Sequence, residues 1–154
     1  MGVSNQFDGD ATNLPGRVLA LDLGKRRIGV AISDPLGITA QGLPTVERTT
    51  IREDIAALAD LARSHEVTLF LVGKPLHMSG AESRQAAWTG DFARRLTAAS
   101  GIPVEFRDER LTTVEAQRVL RSSGISIEKR NRAVDRLAAV ILLQSWLDAH
   151  DHAS

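Results

Sequence analysis

The stretch Leu19–Asp34, LALDLGKRRIGVAISD, decides the fold, and one residue in it looks misplaced. Two runs, Val18–Leu23 and Ile28–Ser33, are rich in apolar and β-branched residues and flank a short Gly-Lys-Arg turn, the pattern of a β-hairpin. Asp22 interrupts the first run. In period-2 register it shares a face with Val18 and Ala20, while Leu19, Leu21 and Leu23 point the other way. A carboxylate in such a setting is costly unless an arginine, backbone amides or a metal ion compensates it. An acid satisfied by Arg26 or Arg27 in the turn is the plain reading. The other is a functional acid with small neighbours, and Gly29 and Ala31 in the next strand would leave it room if they share its face.

Working outward, Leu43–Arg48 extends the hairpin as a third strand, and Pro44 assigns it to an edge or a strand start. Ile51–His65 carries Ile55, Leu58, Leu61 and Ala62 at helical spacing. Val67–Val72, VTLFLV, is a continuous apolar run that fits a strand buried on both faces. The loop GKPLHMSGAES from Gly73 leads into a helix of about twenty residues ending near Gly101. Pro103–Arg107 is a further strand. Thr112 or Thr113 caps another helix, with Glu115 completing a capping box, and Gly124 ends it. ISIEKRNR, residues 125–132, is polar and basic and reads as a mobile loop, before a last helix from Ala133 to Asp148. The order β-β-β-α-β-α-β-α-α predicts an α/β fold. Its mixed five-stranded sheet has three antiparallel strands, then parallel ones with right-handed crossovers, and helices flank it.

The 154 residues suit one domain at 17–148, between polar tails at 1–16 and 149–154. No apolar run reaches membrane-spanning length, and the opening residues lack a signal peptide's basic start and apolar centre. Cysteine is absent, which removes disulfides, thiolate zinc sites and a cysteine nucleophile. A cytoplasmic location without a membrane partner is expected. Formal net charge is zero, yet the basic residues cluster at Lys25–Arg27 and at Lys129, Arg130 and Arg132. Solvated surface competes evenly with nucleic-acid contact as their explanation.

Two more acids stand in telling places. Asp108 and Glu109 end the strand PVEFRDER, where sites assemble in α/β sheets. Asp135 opens the most apolar helix, and helical spacing puts Ala138, Ala139 and Leu142 on its face. Each alone could serve a helix dipole. Three acids at the ends of separate core elements, however, repel one another unless a cation neutralises them. All-oxygen ligands select a hard ion, Mg²⁺ or Mn²⁺, and such ions can activate water for phosphodiester cleavage while basic residues hold the backbone.

The segments LALDLGKRRIGVAISD, VGKPLHMSG, RDERLTTVEA and VDRLAAVILLQSWL, in that order, resemble the YqgF/RuvX family from about Arg17 to Leu147. Its members are RNase H-like proteins described as Holliday junction resolvases and as pre-16S rRNA nucleases. The resemblance implies an RNase H-like fold and a metal-ligating catalytic triad of Asp22, Glu109 and Asp135, with Asp108 the weaker alternative to Glu109. It also implies that Arg27, Arg110, Thr112 and Thr113 contact phosphate or orient the carboxylates. Lys25, Arg26, Lys129, Arg130 and Arg132 are expected to meet nucleic acid. Lys74 and His77 depart from the family's usual loop, G-L-P-L-N-M-D-G, and either add phosphate contacts or are tolerated variation, as is Ser79.

The expected function is a Mg²⁺- or Mn²⁺-dependent endonuclease acting on structured RNA, trimming the 5′ end of a ribosomal precursor. Cleavage of branched DNA by a homodimer is the enzymatic rival, although no dimer face is evident. A non-catalytic binding module of the same fold is the rival of another class. DLGKRRIGVA alone also resembles the phosphate hairpin of actin-like ATPases, but the chain is too short for their second domain. No G-x-S-x-G or H-E-x-x-H occurs, and His150 and His152 read as tail residues.

Overall fold

The computed structural model describes residues 16–74, 80–108, 118 and 127–151. Five strands and three helices follow one another as β1 (Arg17–Leu23), β2 (Arg27–Ser33), β3 (Ala40–Glu47), α1 (Ile51–Ser64), β4 (Val67–Lys74), α2 (Ala81–Ser100), β5 (Val104–Asp108) and α3 (Ile127–Asp151). Of the helix expected between Thr112 and Gly124 only Arg118, which is helical, is among the described residues. The strands form one sheet in the order β3-β2-β1-β4-β5. β1 pairs with β2 and β2 with β3 antiparallel, whereas β1–β4 and β4–β5 are parallel. This is the mixed sheet that the sequence pattern predicts.

Alternation along each strand sorts the core into two layers. Leu19, Leu21, Ile28, Val30, Phe70 and Val72 face α1 and α2, where Ile55, Leu58, Phe92 and Leu96 meet them. On the other face Val18, Ala20, Ala31 and Leu71 pack against Ala139, Leu142, Leu143 and Leu147 of α3. Phe70, Leu71 and Val72 are all fully buried, as a central strand covered on both sides requires.

The helix ends have local causes. The Thr50 hydroxyl accepts from the Glu53 amide and caps α1, and α2 stops at Gly101, whose φ of 75° is left-handed. Pro44 lies in β3, an edge strand, where its missing amide can face away from the sheet.

One expectation needs correcting. From Ile127 onward the segment ISIEKRNR is not a loop: α3 begins there, six positions before Ala133, and continues to Asp151. No glycine or proline interrupts residues 125–151, and Glu, Lys and Arg are good helix formers. The polar character of that segment marks the start of a helix. Edge strand β3 also begins earlier than its residues suggest. Gln144 of α3 accepts a hydrogen bond from the Ala40 amide at 2.9 Å and donates one to the Ile38 carbonyl at 3.0 Å.

Candidate active site

Because β1, β4 and β5 run parallel, their C-terminal ends share one edge of the sheet, bringing Asp22, Lys74 and Asp108 to the same side of the fold. Asp22 lies directly across from Gly29 on β2, just as Ala20 lies across from Ala31. The small residues therefore do share the face of Asp22, and α3 covers that face. A Cβ on Gly29 would come within 1.9 Å of the Asp135 carbonyl oxygen. The helix backbone rests on the strand there, with no side chain between them. A Cβ on Gly24 would stand 3.7 Å from Asp135 Oδ1. Asp22 and Asp135 thus lie beside the same close contact of strand and helix.

Asp135 is half-buried, and burial pushes its carboxyl above the usual carboxylate range. The Arg27 guanidinium opposes that shift and the Glu47 carboxylate reinforces it. Arg27 and Glu47 face each other across β2 and β3, with Nε and Oε2 3.7 Å apart. The Arg27 Nε is buried without a hydrogen-bond partner, a donor suited to an anionic oxygen arriving at the acids.

The turn between β1 and β2 is braced from both sides. The Gly24 amide bonds the Arg27 carbonyl at 3.0 Å, and a Cβ on Gly24 would lie 2.6 Å from that oxygen, so the bend needs glycine. On the α1 side Arg48 Nη1 donates to the Gly24 carbonyl at 2.8 Å. Arg48 is held in turn by Asp54, which is 1% exposed, with Nε 3.6 Å from Oδ2.

The expected residues fall into distinct groups. Asp22, Asp135 and Arg27 come together. Glu109, Arg110, Thr112, Thr113 and His77 lie outside the described residues. Asp108, the alternative to Glu109, ends β5 beside Lys74 of β4. Lys74 projects to the α2 face, opposite that of Asp22, with Nζ 4.3 Å from the Phe106 ring centroid. Lys25 and Arg26 are exposed in the turn. Lys129, Arg130 and Arg132 occupy the first turns of α3.

Among the described residues no three of the His, Asp and Glu side chains stand close enough to hold a metal ion; the third acid of the expected triad is outside that set. Sequence reasoning missed Glu47 and the Arg48–Asp54 brace. In sequence Asp54 reads only as a first-turn acid, so the brace had no signal there.

A carboxyl whose pKa is raised on folding favours the native state while protonated and opposes it once ionised. That opposing contribution develops as pH rises from the ordinary value of 3.8 through the raised one. In metal-free protein, Asp135→Asn is therefore expected to raise the thermal midpoint at pH 7–8 by about 1–3 °C. The gain should vanish below about pH 4, where the wild-type carboxyl is already neutral. Midpoints equal at every pH would show that Asp135 carries no burial penalty.

The comparisons agree with this architecture. Residues 16–149 match the family described as "RuvX: Holliday junction resolvase". A relative from Koribacter versatilis (strain Ellin345), provisionally named pre-16S rRNA nuclease, is 53% identical over 133 residues, 86% of this chain and 87% of its own. A relative from Myxococcus xanthus (strain DK1622) with the same provisional name is 48% identical over 134 residues, 87% of this chain and 89% of its own. Among solved structures, Thermus thermophilus RuvC in complex with Holliday junction substrate superposes with a TM-score of 0.57 at 13% identity, covering 90% of this chain and 97% of that one. The fowlpox virus resolvase bound to Holliday junction DNA gives 0.53 at 13% identity, covering 86% and 97%. At such identity these two neighbours speak for the fold alone.

Proposed function

The chain belongs to the RuvX family, and from that premise we propose that it is a metal-dependent endonuclease hydrolysing phosphodiester bonds in structured RNA. Its substrate is the 5′ end of a 16S rRNA precursor in the cytoplasm. The observation that carries this reading is the meeting of β1, β2 and α3 at Gly29, which sets Asp22 and Asp135 beside each other near Arg27, whose buried Nε has no hydrogen-bond partner among the described residues.

The donor set fits a hard divalent cation. Asp22 and Asp135 offer carboxylate oxygens only, and burial of Asp135 creates a demand for positive charge that Arg27 meets in part. Glu109 completes the set in this proposal, since it follows the last residue of β5 at the same sheet edge. Mg²⁺ or Mn²⁺, when bound, would supply water activation and neutralise charge at the leaving oxygen. Arg27 would orient the scissile phosphate through its buried donor, while Lys25 and Arg26 draw the backbone toward the turn. Asp22 and Asp135 hold their geometry through β1 and α3, so positioning comes from the sheet and its covering helix.

RNA is preferred over a four-way DNA junction because relatives about half identical over most of both chains bear the RNA name. A junction also demands two symmetric cuts and therefore two copies of the chain, whereas trimming a precursor demands one.

Purified protein incubated with 16S rRNA precursor and Mn²⁺ is expected to shorten its 5′ end, and EDTA to stop the reaction. A four-way DNA junction should be cut at least about tenfold more slowly, a difference of about 1.4 kcal/mol in activation free energy. Cleavage of the junction alone would overturn the RNA assignment, and undiminished cleavage in EDTA would overturn the metal mechanism.

A further inference from the structure

On the far side of the β1–β2 turn from the acids lies a cavity of about 200 Å³, lined by Leu23, Gly24, Lys25, Arg48, Gln85 and Trp88. It is bounded by the same Gly24 whose other side faces Asp135. Its lining is unlike that of an ordinary surface cleft. Among the described residues no carboxylate lines it. Arg48 crosses it with its guanidinium carbon 4.8 Å from the Trp88 ring centroid, and Asp54 behind Arg48 offsets that charge. The Lys25 ammonium, the Gln85 amide and the Trp88 indole N–H make no hydrogen bond to another described residue. The pocket thus offers several donors and, with Arg48 offset, a single uncompensated positive charge.

One net positive charge beside convergent donors matches a phosphodiester, which carries one negative charge, better than a terminal phosphate carrying nearly two. The Trp88 ring and Leu23 supply the apolar wall that a sugar or base attached to that phosphate would cover. We infer that the cleft between the β1–β2 turn and α2, lined by Lys25, Arg48, Gln85 and Trp88, is a second phosphodiester subsite that grips the substrate strand beside the bond being cut. This rests on the reading of the chain as a nuclease. Gly24 is then a shared wall, with the acids on one side and the flanking nucleotide on the other. Arg48 ties the two, since it holds the Gly24 carbonyl from inside the pocket.

The chain has two tryptophans, and Trp146 lies on α3, stacked on His150. In a Trp146→Phe background Trp88 therefore reports alone. Titrating that protein in EDTA with a short single-stranded RNA is expected to quench its fluorescence. Adding Gln85→Glu puts a carboxylate at the pocket mouth. It should weaken binding roughly tenfold and make the dependence of log K on log salt shallower by about one. Gln85 is exposed on a helix that glutamate also favours, so the thermal midpoint should hold. Ala98→Glu, exposed at the far end of α2, adds the same charge and should change neither quantity.

Absence of a quench, equal weakening by Ala98→Glu, or an unchanged affinity in Gln85→Glu would each overturn the subsite. Equal quenching by adenosine monophosphate would overturn it too, assigning the pocket to free nucleotides. None of these outcomes bears on cleavage. The nuclease reading fails separately, if the wild-type protein leaves the 16S rRNA precursor uncut in Mn²⁺.

Discussion

Asp22→Asn is expected to lower kcat for RNA cleavage by a factor of about 10³ or more, with little change in thermal midpoint. The substitution keeps the size and planarity of the side chain and removes one formal charge. Asp22 lies across from Gly29 on a face otherwise lined with alanine and valine, so the sheet has room for the amide. What the amide lacks is the anionic oxygen pair that a hard cation requires. Raising Mn²⁺ should restore little, because the deficit is in ligand charge and not in occupancy alone. Single-turnover cleavage of the precursor at saturating metal is the measurement. Wild-type rates would leave Asp22 as a satisfied turn acid and overturn its role as a metal ligand.

Gly29→Ala is expected to be strongly destabilising. The added Cβ would fall 1.9 Å from the Asp135 carbonyl oxygen and 2.5 Å from its carbon, both backbone atoms that no rotamer change can move. Either α3 lifts from the sheet or β2 buckles. Overpacking of this kind should cost about 3 kcal/mol or more, which for a domain of this size lowers the midpoint by about 6–12 °C. Activity should fall as well, since the helix that lifts carries Asp135. Gly42→Ala is the matched control. Its Cβ would meet Arg136 at 2.7 Å, but those are side-chain methylenes free to swing aside. A midpoint for Gly29→Ala within a degree of wild type would mean that α3 can dock elsewhere on the sheet.

Much of this arrangement was legible in the residues, and what was not has a physical reason. The hairpin, the buried VTLFLV strand and the α2 stop at Gly101 follow from periodicity and glycine placement, which are local properties. The face of Asp22 could be assigned from alternation alone, and its glycine-lined surroundings were visible as small residues whose pairing the register then settled. Non-local contacts escaped. Gln144 lengthens β3 from across the sheet, and no pattern in residues 40–47 announces it. Asp54 reads as a dipole acid at the start of α1, and only packing shows it buried against Arg48. The early start of α3 was obscured by its polarity, because a helix that leaves the sheet loses the apolar stripe by which helices are recognised. Glu47 had no signal beyond its place at a strand end.

Asp22 stands on the first of the described elements and Asp135 on the last, so only long-range packing brings the two acids together. Contacts between residues so distant in sequence form late in folding. The sheet can therefore assemble before the site does, and Gly29, by admitting the helix backbone, is where the two are joined.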